Sequence, residues 1–254
     1  MNTGKASFQT ILNEPDADEP RLVYADWLAE NGESLRAEFI RLAVRIHQRG
    51  NGGVRVLCDP EGERYFDIER NQGQVWLKEM PEFKGIRWWN YYRGFPTIQA
   101  TGWSALKKYA PKIWQLSPCE ELDLYTLSEP AGRFFGASPW LEKLRSLSFS
   151  WIGRQGIPGF RAFLQAPRLG HLLVLNLKSN GLGDEGAKLL AECPHLVNLR
   201  ELVLECNDIG DVGARALAGT PHFPKLKELC LGRNPIKDKE VERELKARWG
   251  KRYR

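Results

Sequence analysis

Residues 172–198 read LLVLNLKSNGLGDEGAKLLAECPHLVN, and the pattern of this segment returns along the chain. Its spacing, Leu-x-x-Leu-x-Leu-x-x-Asn-x-Leu, starts at Leu172 and starts again at Leu199 and Leu226, with Ile in the last place of both later copies. Both steps are 27 residues long. Self-similarity at such a period is typical of repeat proteins. Because one repeat cannot bury its apolar face alone, neighbouring repeats must stack into a continuous core.

Weaker copies of the pattern lie upstream of these three. One begins at Leu144, 28 residues before Leu172, and another begins at Cys119, 25 residues before Leu144. Neither keeps the asparagine, and loss of consensus toward one end is typical of the terminal part of an array. Residues 94–100 are a fainter candidate strand. We predict three firm repeats, two weaker repeats and one doubtful strand at the start.

Each repeat predicts a strand followed by a helix. The leucines in the fourth and sixth places alternate as in a strand with one buried face. The asparagine comes where the chain leaves that strand, and its amide can bond backbone groups there, so its recurrence indicates a structural role and not a ligand site. Asp184 and Asp211 are predicted to be N-caps of helices over 185–192 and 212–218.

A strand and a full helix at this period resemble the ribonuclease-inhibitor-like class of leucine-rich repeats. The resemblance covers about residues 119–236 and is strongest in the last three units. It implies an α/β fold, a right-handed leucine-rich-repeat solenoid with parallel strands on the concave face and helices on the convex face. It also implies a binding scaffold and not an enzyme.

The N-terminal region predicts a small helical domain. Helices are expected to begin at Ser7 and to cover 21–32 and 34–48, where apolar residues recur at helical spacing. The segments ILNEPD (11–16), PRLVYADWL (20–28) and RAEFIRL (36–42) resemble the bacterial repeat-companion domain, a family abundant in planctomycetes. Members of that family commonly precede leucine-rich repeats, and the biochemical activity of the family is not established, so the resemblance supplies no catalytic residue. The resemblance therefore implies a bacterial protein with an interaction role.

Residues 50–115 join these two parts and carry most of the tryptophans of the chain. Residues 50–53 predict a flexible joint and residues 54–58 a strand. The aromatic side chains favour a core that caps the first repeat, because an open solenoid end needs a cap. Interleaved basic residues keep a second interpretation open, in which the rings stack on nucleic acid. The predicted domains are 1–49 (helical), 50–115 (aromatic junction and cap), 116–237 (repeats) and 238–254 (cap helix and basic tail).

The whole-chain composition favours a cytoplasmic protein. The net charge is +5 over 254 residues, and 27% of the residues are charged. No run of 18 apolar residues and no secretion signal is found, so a membrane partner is not expected. The five cysteines contain no Cys-x-x-Cys pair, which favours reduced thiols.

Sequence motifs for catalysis are missing. The chain has no glycine-rich phosphate loop, no His-Glu-x-x-His and no Gly-x-Ser-x-Gly. We therefore predict no catalytic residues, no cofactor and no metal.

The predicted function is non-catalytic protein binding through the strand side chains that point away from the buried leucines. The partner is an unidentified protein; the alternatives are a fixed subunit of a larger bacterial complex, or a nucleic-acid-associated protein that uses the basic tail and the aromatic junction. Aromatic side chains and arginine are enriched at interface hot spots. The candidate partner-binding residues are Tyr125, Ser148, Ser150, Trp151, Asn176, Lys178, Val203, Glu205 and Arg233.

Overall fold

Seven strands form one sheet in the computed structural model of the chain, which describes residues 3–49 and 59–250. Their order in the sheet is their order in the sequence. The fold is therefore mixed α/β, as predicted. The strands are β1 (Ile86–Tyr92), β2 (Phe95–Ala100), β3 (Glu121–Leu124), β4 (Ser146–Phe149), β5 (Val174–Asn176), β6 (Glu201–Val203) and β7 (Glu228–Cys230).

The chain groups into two units. The first comprises Met1–Ile98 and Tyr109–Glu120, and the second comprises Gln99–Lys108 and Glu121–Arg254. The four-domain division made from the sequence stays a prediction. The expected joint at 50–53 and strand at 54–58 lie outside the described residues.

Strands β3 to β7 of the second unit pair in parallel with an unbroken register. Leu147 of β4 is aligned with Leu175 of β5, and Leu202 of β6 is aligned with Leu229 of β7. All of these leucines are buried, whereas most of the residues beside them in the strands remain partly accessible; Ser146 is the exception and is buried. The strands predicted for the three firm and the two weaker repeats are confirmed, as is a strand within residues 94–100.

A helix follows each of these strands. Consecutive helices pack on one another, and α7 (Glu129–Ala137) approaches α8 (Ile157–Leu164) closely at two glycines. A Cβ atom on Gly132 would lie 2.0 Å from the carbonyl oxygen of Gly159. No side chain therefore fits at position 132 while the two helices are this close. The helices of the repeats are α7 (Glu129–Ala137), α8 (Ile157–Leu164), α9 (Gly183–Ala191), α10 (Asp211–Gly219) and α11 (Lys239–Trp249), preceded by α6 (Trp103–Leu116).

The recurring asparagines join successive repeats. The Asn207 side-chain oxygen accepts hydrogen bonds from the backbone N–H groups of Asn180 (3.1 Å) and Leu182 (3.4 Å) in the preceding repeat. Its amide nitrogen donates to the carbonyls of Leu177 (2.7 Å) and Glu205 (3.2 Å). Asn180 and Asn234 make the equivalent bonds one repeat earlier and later. The predicted structural role of these asparagines is confirmed.

The predicted N-cap roles of Asp184 and Asp211 are wrong, because each carboxylate bonds backbone N–H groups near the start of the following helix and not of its own. Helix α9 begins before Asp184, and the Asp184 carboxylate instead accepts from the N–H groups of Gly210 (2.7 Å) and Gly213 (2.9 Å) at the start of the next helix, α10. Asp211 bonds Lys237 and Asp238, just before α11, in the same way. The sequence favoured local caps because an aspartate normally bonds its own first turn. Here the first turn of each helix lies beside the aspartate of the preceding repeat.

The first unit contains the three predicted N-terminal helices, α1 (Thr3–Asn13), α2 (Glu19–Glu30) and α3 (Ser34–Gln48). Pro20 lies in the first turn of α2, where its missing N–H costs nothing, and Gly32 with φ +87° follows the end of that helix. Apolar side chains from all three helices form one core. Next come α4 (Pro60–Ile68), a π-helical turn (Glu69–Gly73) and α5 (Gln74–Lys78).

A buried ionic cluster also stabilises the first unit. Arg21 is fully buried and donates to the Glu120 carboxylate at 2.5 Å, and Arg93 donates to the same carboxylate at 3.1 Å. Arg93 also pairs with Asp18, and Arg21 donates to the carbonyl of Ala17 at 2.7 Å. Two guanidinium groups therefore share one buried carboxylate, and burial lowers the pKa of Arg21.

No helix within residues 3–49 and 59–250 is long and apolar enough to cross a membrane.

Candidate protein-binding face

The candidate site is the surface formed by the outward side chains of strands β3 to β7, which we call the strand face. The strict register places these side chains in two rows across neighbouring strands, spaced about 4.8 Å apart. Polar and small residues dominate both rows. The first row is Glu121, Ser146, Val174, Glu201 and Glu228, and the second is Asp123, Ser148, Asn176, Val203 and Cys230.

A third row, which we call the exit row, lies where the chain leaves the strands. Trp151, Ser179, Cys206 and Arg233 occupy the same place in four successive repeats, and all four have left-handed backbone conformations, with φ between +56° and +64°. This conformation is uncommon for residues other than glycine. Trp151 is also 78% exposed, so it lies outside the core of the irregular repeat that contains it.

Several predicted binding residues contact one another. The Lys178 ammonium lies 2.7 Å from the Glu205 carboxylate, and this hydrogen bond and charge raise the pKa of Lys178. The Ser150 hydroxyl donates to the Asp123 carboxylate at 3.3 Å, and the Asn176 side-chain oxygen accepts from the N–H of Lys178 at 3.0 Å.

The other predicted residues differ mainly in exposure. Tyr125, Ser148 and Val203 are half-buried, and Arg233 is exposed. Trp151 and Arg233 belong to the exit row, three repeats apart. Their roles in binding stay predictions.

Two glutamates of the strand face are harder to ionise than an exposed carboxylate. Burial and the neighbouring Asp123 raise the pKa of Glu121 to about 7. Burial and the aligned Glu228 raise the pKa of Glu201. Burial and the nearby Glu228 also raise the pKa of the Cys230 thiol to about 11. The face therefore carries negative charge at a cost to stability.

We expect Glu121→Gln to change the pH dependence of stability. The folded-state pKa of Glu121 is about 7, above the ordinary 4.5, so the folded state holds this proton more tightly than the unfolded state. The contribution of Glu121 to the free energy of unfolding is thus fully present below pH 4.5 and is lost as the pH rises through 7. Relative to wild type, Glu121→Gln should gain on the order of 1–3 kcal/mol between pH 4 and pH 8 in urea denaturation. A Glu121→Gln variant whose stability follows the wild-type pH profile would contradict the assignment.

Cys193 of the second unit has the surroundings of a core thiol. The Cys193 thiol is buried and donates to the carbonyl of Leu164 at 3.3 Å, and burial raises its pKa. A thiol needs a lowered pKa to act as a nucleophile. No group of three or more histidine, cysteine, aspartate or glutamate side chains in the described part of the chain is placed to hold a metal ion.

The comparison with protein families identifies two of the stacked units. Residues 171–191 and 195–218 match the family model described as Leucine Rich repeat. The chain contains leucine-rich repeats. No curated protein matches it. Such repeats generally mediate protein–protein interactions and are generally non-catalytic. The resemblance of residues 7–48 to the repeat-companion domain stays a prediction.

The geometry of the leucine-rich repeats shows one feature that the sequence did not reveal. The left-handed conformation of the exit row was missed because its four side chains share no chemistry. The only signal is position, since each residue directly precedes the asparagine of its repeat or, for Trp151, the place of that asparagine.

Six of the twelve aromatic side chains of residues 50–115 are buried, and several of these pack together in the first unit. Phe39 stacks on Tyr65 with ring centroids 4.7 Å apart and meets Trp76 and Tyr91 at 5.4 and 5.0 Å. Stacking on nucleic acid needs accessible ring faces. These contacts therefore favour a core role for the buried rings, and Trp89, at 44% exposure, is an exception.

Proposed function

We propose that this chain is a non-catalytic protein-binding scaffold whose leucine-rich repeats bind a protein partner through the strand face and the exit row. In a right-handed solenoid this surface would be the concave side. A bacterial, cytoplasmic setting is part of the proposal, and the buried free thiol of Cys193 fits a reducing compartment.

Trp151 is the observation that carries the proposal. A left-handed backbone costs a residue with a Cβ atom about 1 kcal/mol or more. Because the ring is exposed, it does not contribute the hydrophobic stabilisation that a buried tryptophan would provide. A tryptophan placed at this cost is well explained by an interface, because tryptophan is among the residues most enriched at hot spots.

The charges of the neighbouring residues support a partner with mixed polarity. The carboxylates of the two strand-face rows favour basic groups at the centre of the interface. Arg233, at the far end of the exit row, favours an acidic group there. Charge complementarity of this kind mainly provides specificity and a faster association rate.

We expect Trp151→Asn to weaken partner binding at least about 30-fold without lowering stability. Asparagine tolerates a left-handed backbone, so the free energy of unfolding should be unchanged or raised by up to ~1 kcal/mol. Loss of a hot-spot tryptophan costs ~2 kcal/mol or more in affinity, a factor of about 30. Affinity capture from the native cell with wild-type and variant baits, followed by titration of the captured protein, would measure both quantities.

Lys188→Ala on α9 is the matched control, because Lys188 is exposed on a helix and not on the strand face. It should retain the partner that Trp151→Asn loses. Equal loss of affinity from Lys188→Ala would rule out the strand face. A large loss of stability in Trp151→Asn would show instead that the ring has a structural role.

A further inference from the structure

A cavity of about 450 Å³ lies in the first unit and is lined by Phe66, Glu69, Arg70, Gly73 and Gln74 and by residues 89–91 of strand β1. Helix α4 runs directly into the π-helical turn Glu69–Gly73, and that turn runs directly into α5. The Tyr91 hydroxyl donates to the carbonyl of Gly73 at 2.7 Å, so β1 holds the turn in place. π-helical turns are rare and are frequently found at functional sites. The cavity volume falls within the range of small-molecule sites.

Aromatic side chains form much of the cavity wall. Phe66 comes from α4, and Trp89 and Tyr91 come from β1. The Arg87 guanidinium carbon lies 4.4 Å from the centroid of the Trp89 ring. This ring therefore already accepts a cation within the protein itself, in keeping with the negative potential of an aromatic face.

Glu69 contributes a carboxylate to the same cavity. A Cβ atom on Gly73 would lie 3.4 Å from Glu69 Cγ and 3.2 Å from Tyr91 Cε2, so the Glu69 side chain passes close to the aromatic wall. Within the described residues no lysine or arginine forms an ion pair with Glu69. Burial raises its pKa, because the charged carboxylate is costly where water is partly excluded. A cationic ligand would supply the missing charge.

We propose that this cavity binds an alkylammonium group, with Glu69 as its counter-ion and the rings of Phe66 and Trp89 as its apolar walls. Arg70 also lines the cavity but is exposed to solvent, whereas Glu69 is half-buried, so the less screened charge is negative. The site therefore favours a cation over a phosphate. It is independent of the strand face and of the protein-binding role.

The test is ligand-observed NMR titration of the full chain with n-butylammonium chloride. Sodium butyrate is the matched anion, and guanosine monophosphate is the nucleotide probe. We expect saturable binding of butylammonium with a Kd on the order of 1 mM, as suits a ligand of a few heavy atoms. Butyrate and the nucleotide should not compete with it.

Glu69→Gln should weaken butylammonium binding at least about tenfold, because it removes a charge-assisted hydrogen bond. Removing a carboxylate whose pKa is raised should leave stability at neutral pH unchanged or higher, so lost binding would not reflect unfolding. Glu63→Gln, an exposed substitution on α4, should bind as wild type does.

Three results would overturn the proposal: no saturation at millimolar concentrations, unchanged affinity in Glu69→Gln, or preferential binding of butyrate or the nucleotide. Trp151→Asn should bind butylammonium normally, so failure of the cavity and failure of the strand face remain distinguishable.

Discussion

Replacing Leu202 with aspartate is expected to prevent folding of the second unit and not merely to weaken binding. Leu202 is 0% exposed and lies in register between Leu175 and Leu229, so its side chain is surrounded by the stacked leucines of neighbouring strands. An unpaired carboxylate there costs several kcal/mol. Since a typical domain is stable by only about 5–15 kcal/mol, the variant should lose cooperative thermal melting in circular dichroism.

Val203→Asp is the control for Leu202→Asp, because the adjacent residue of the same strand belongs to the half-buried strand face. It should cost about 1 kcal/mol or less, with added repulsion from the nearby carboxylates. If Leu202→Asp melts at the wild-type temperature, the alternation of buried and outward positions in β6 is wrong.

Replacing Glu120 with glutamine is expected to destabilise the first unit by about 3–5 kcal/mol. The carboxylate is 1% exposed and is the shared partner of Arg21 and Arg93, which are themselves buried. Glutamine keeps the shape but leaves these two guanidinium groups without the buried negative charge. Chemical denaturation at pH 7 would measure the change.

Glu38→Gln provides the comparison. Glu38 also pairs with an arginine of the first unit, Arg64, but at 40% exposure of its side chain. Water screens that pair, so its loss should cost about 1 kcal/mol or less. Similar destabilisation by the two variants would show that burial does not determine the strength of the Glu120 cluster.

The repeat pattern was readable from the sequence because it depends on local chemistry. Leucine spacing predicted the strands β3 to β7, and the recurring asparagine predicted a structural bond at each turn. Helix α3 was predicted to its observed ends because its apolar spacing continues without interruption over the whole segment.

The features that sequence reasoning missed depend on contacts between distant residues. Arg21 and Glu120 are 99 residues apart, and no local pattern distinguishes a buried arginine from an exposed one. Asp184 was assigned to its own helix because the packing that carries it to Gly210 is a property of neighbouring repeats. The cavity at Glu69 likewise requires β1 to lie beside the π-helical turn.

The asparagine bonds also determine how the array can end. The N–H of Leu182 is bonded by Asn207 and that of Ile209 by Asn234, residues that the ribosome adds 25 positions later. Each repeat thus stays incomplete until its successor emerges. The last repeat does not need a successor for this purpose. The N–H of Ile236, which is the equivalent of those of Leu182 and Ile209, instead donates to the carbonyl of Asn234 at 2.8 Å. The third firm repeat therefore satisfies this N–H within its own turn and needs no asparagine from a following repeat to do so.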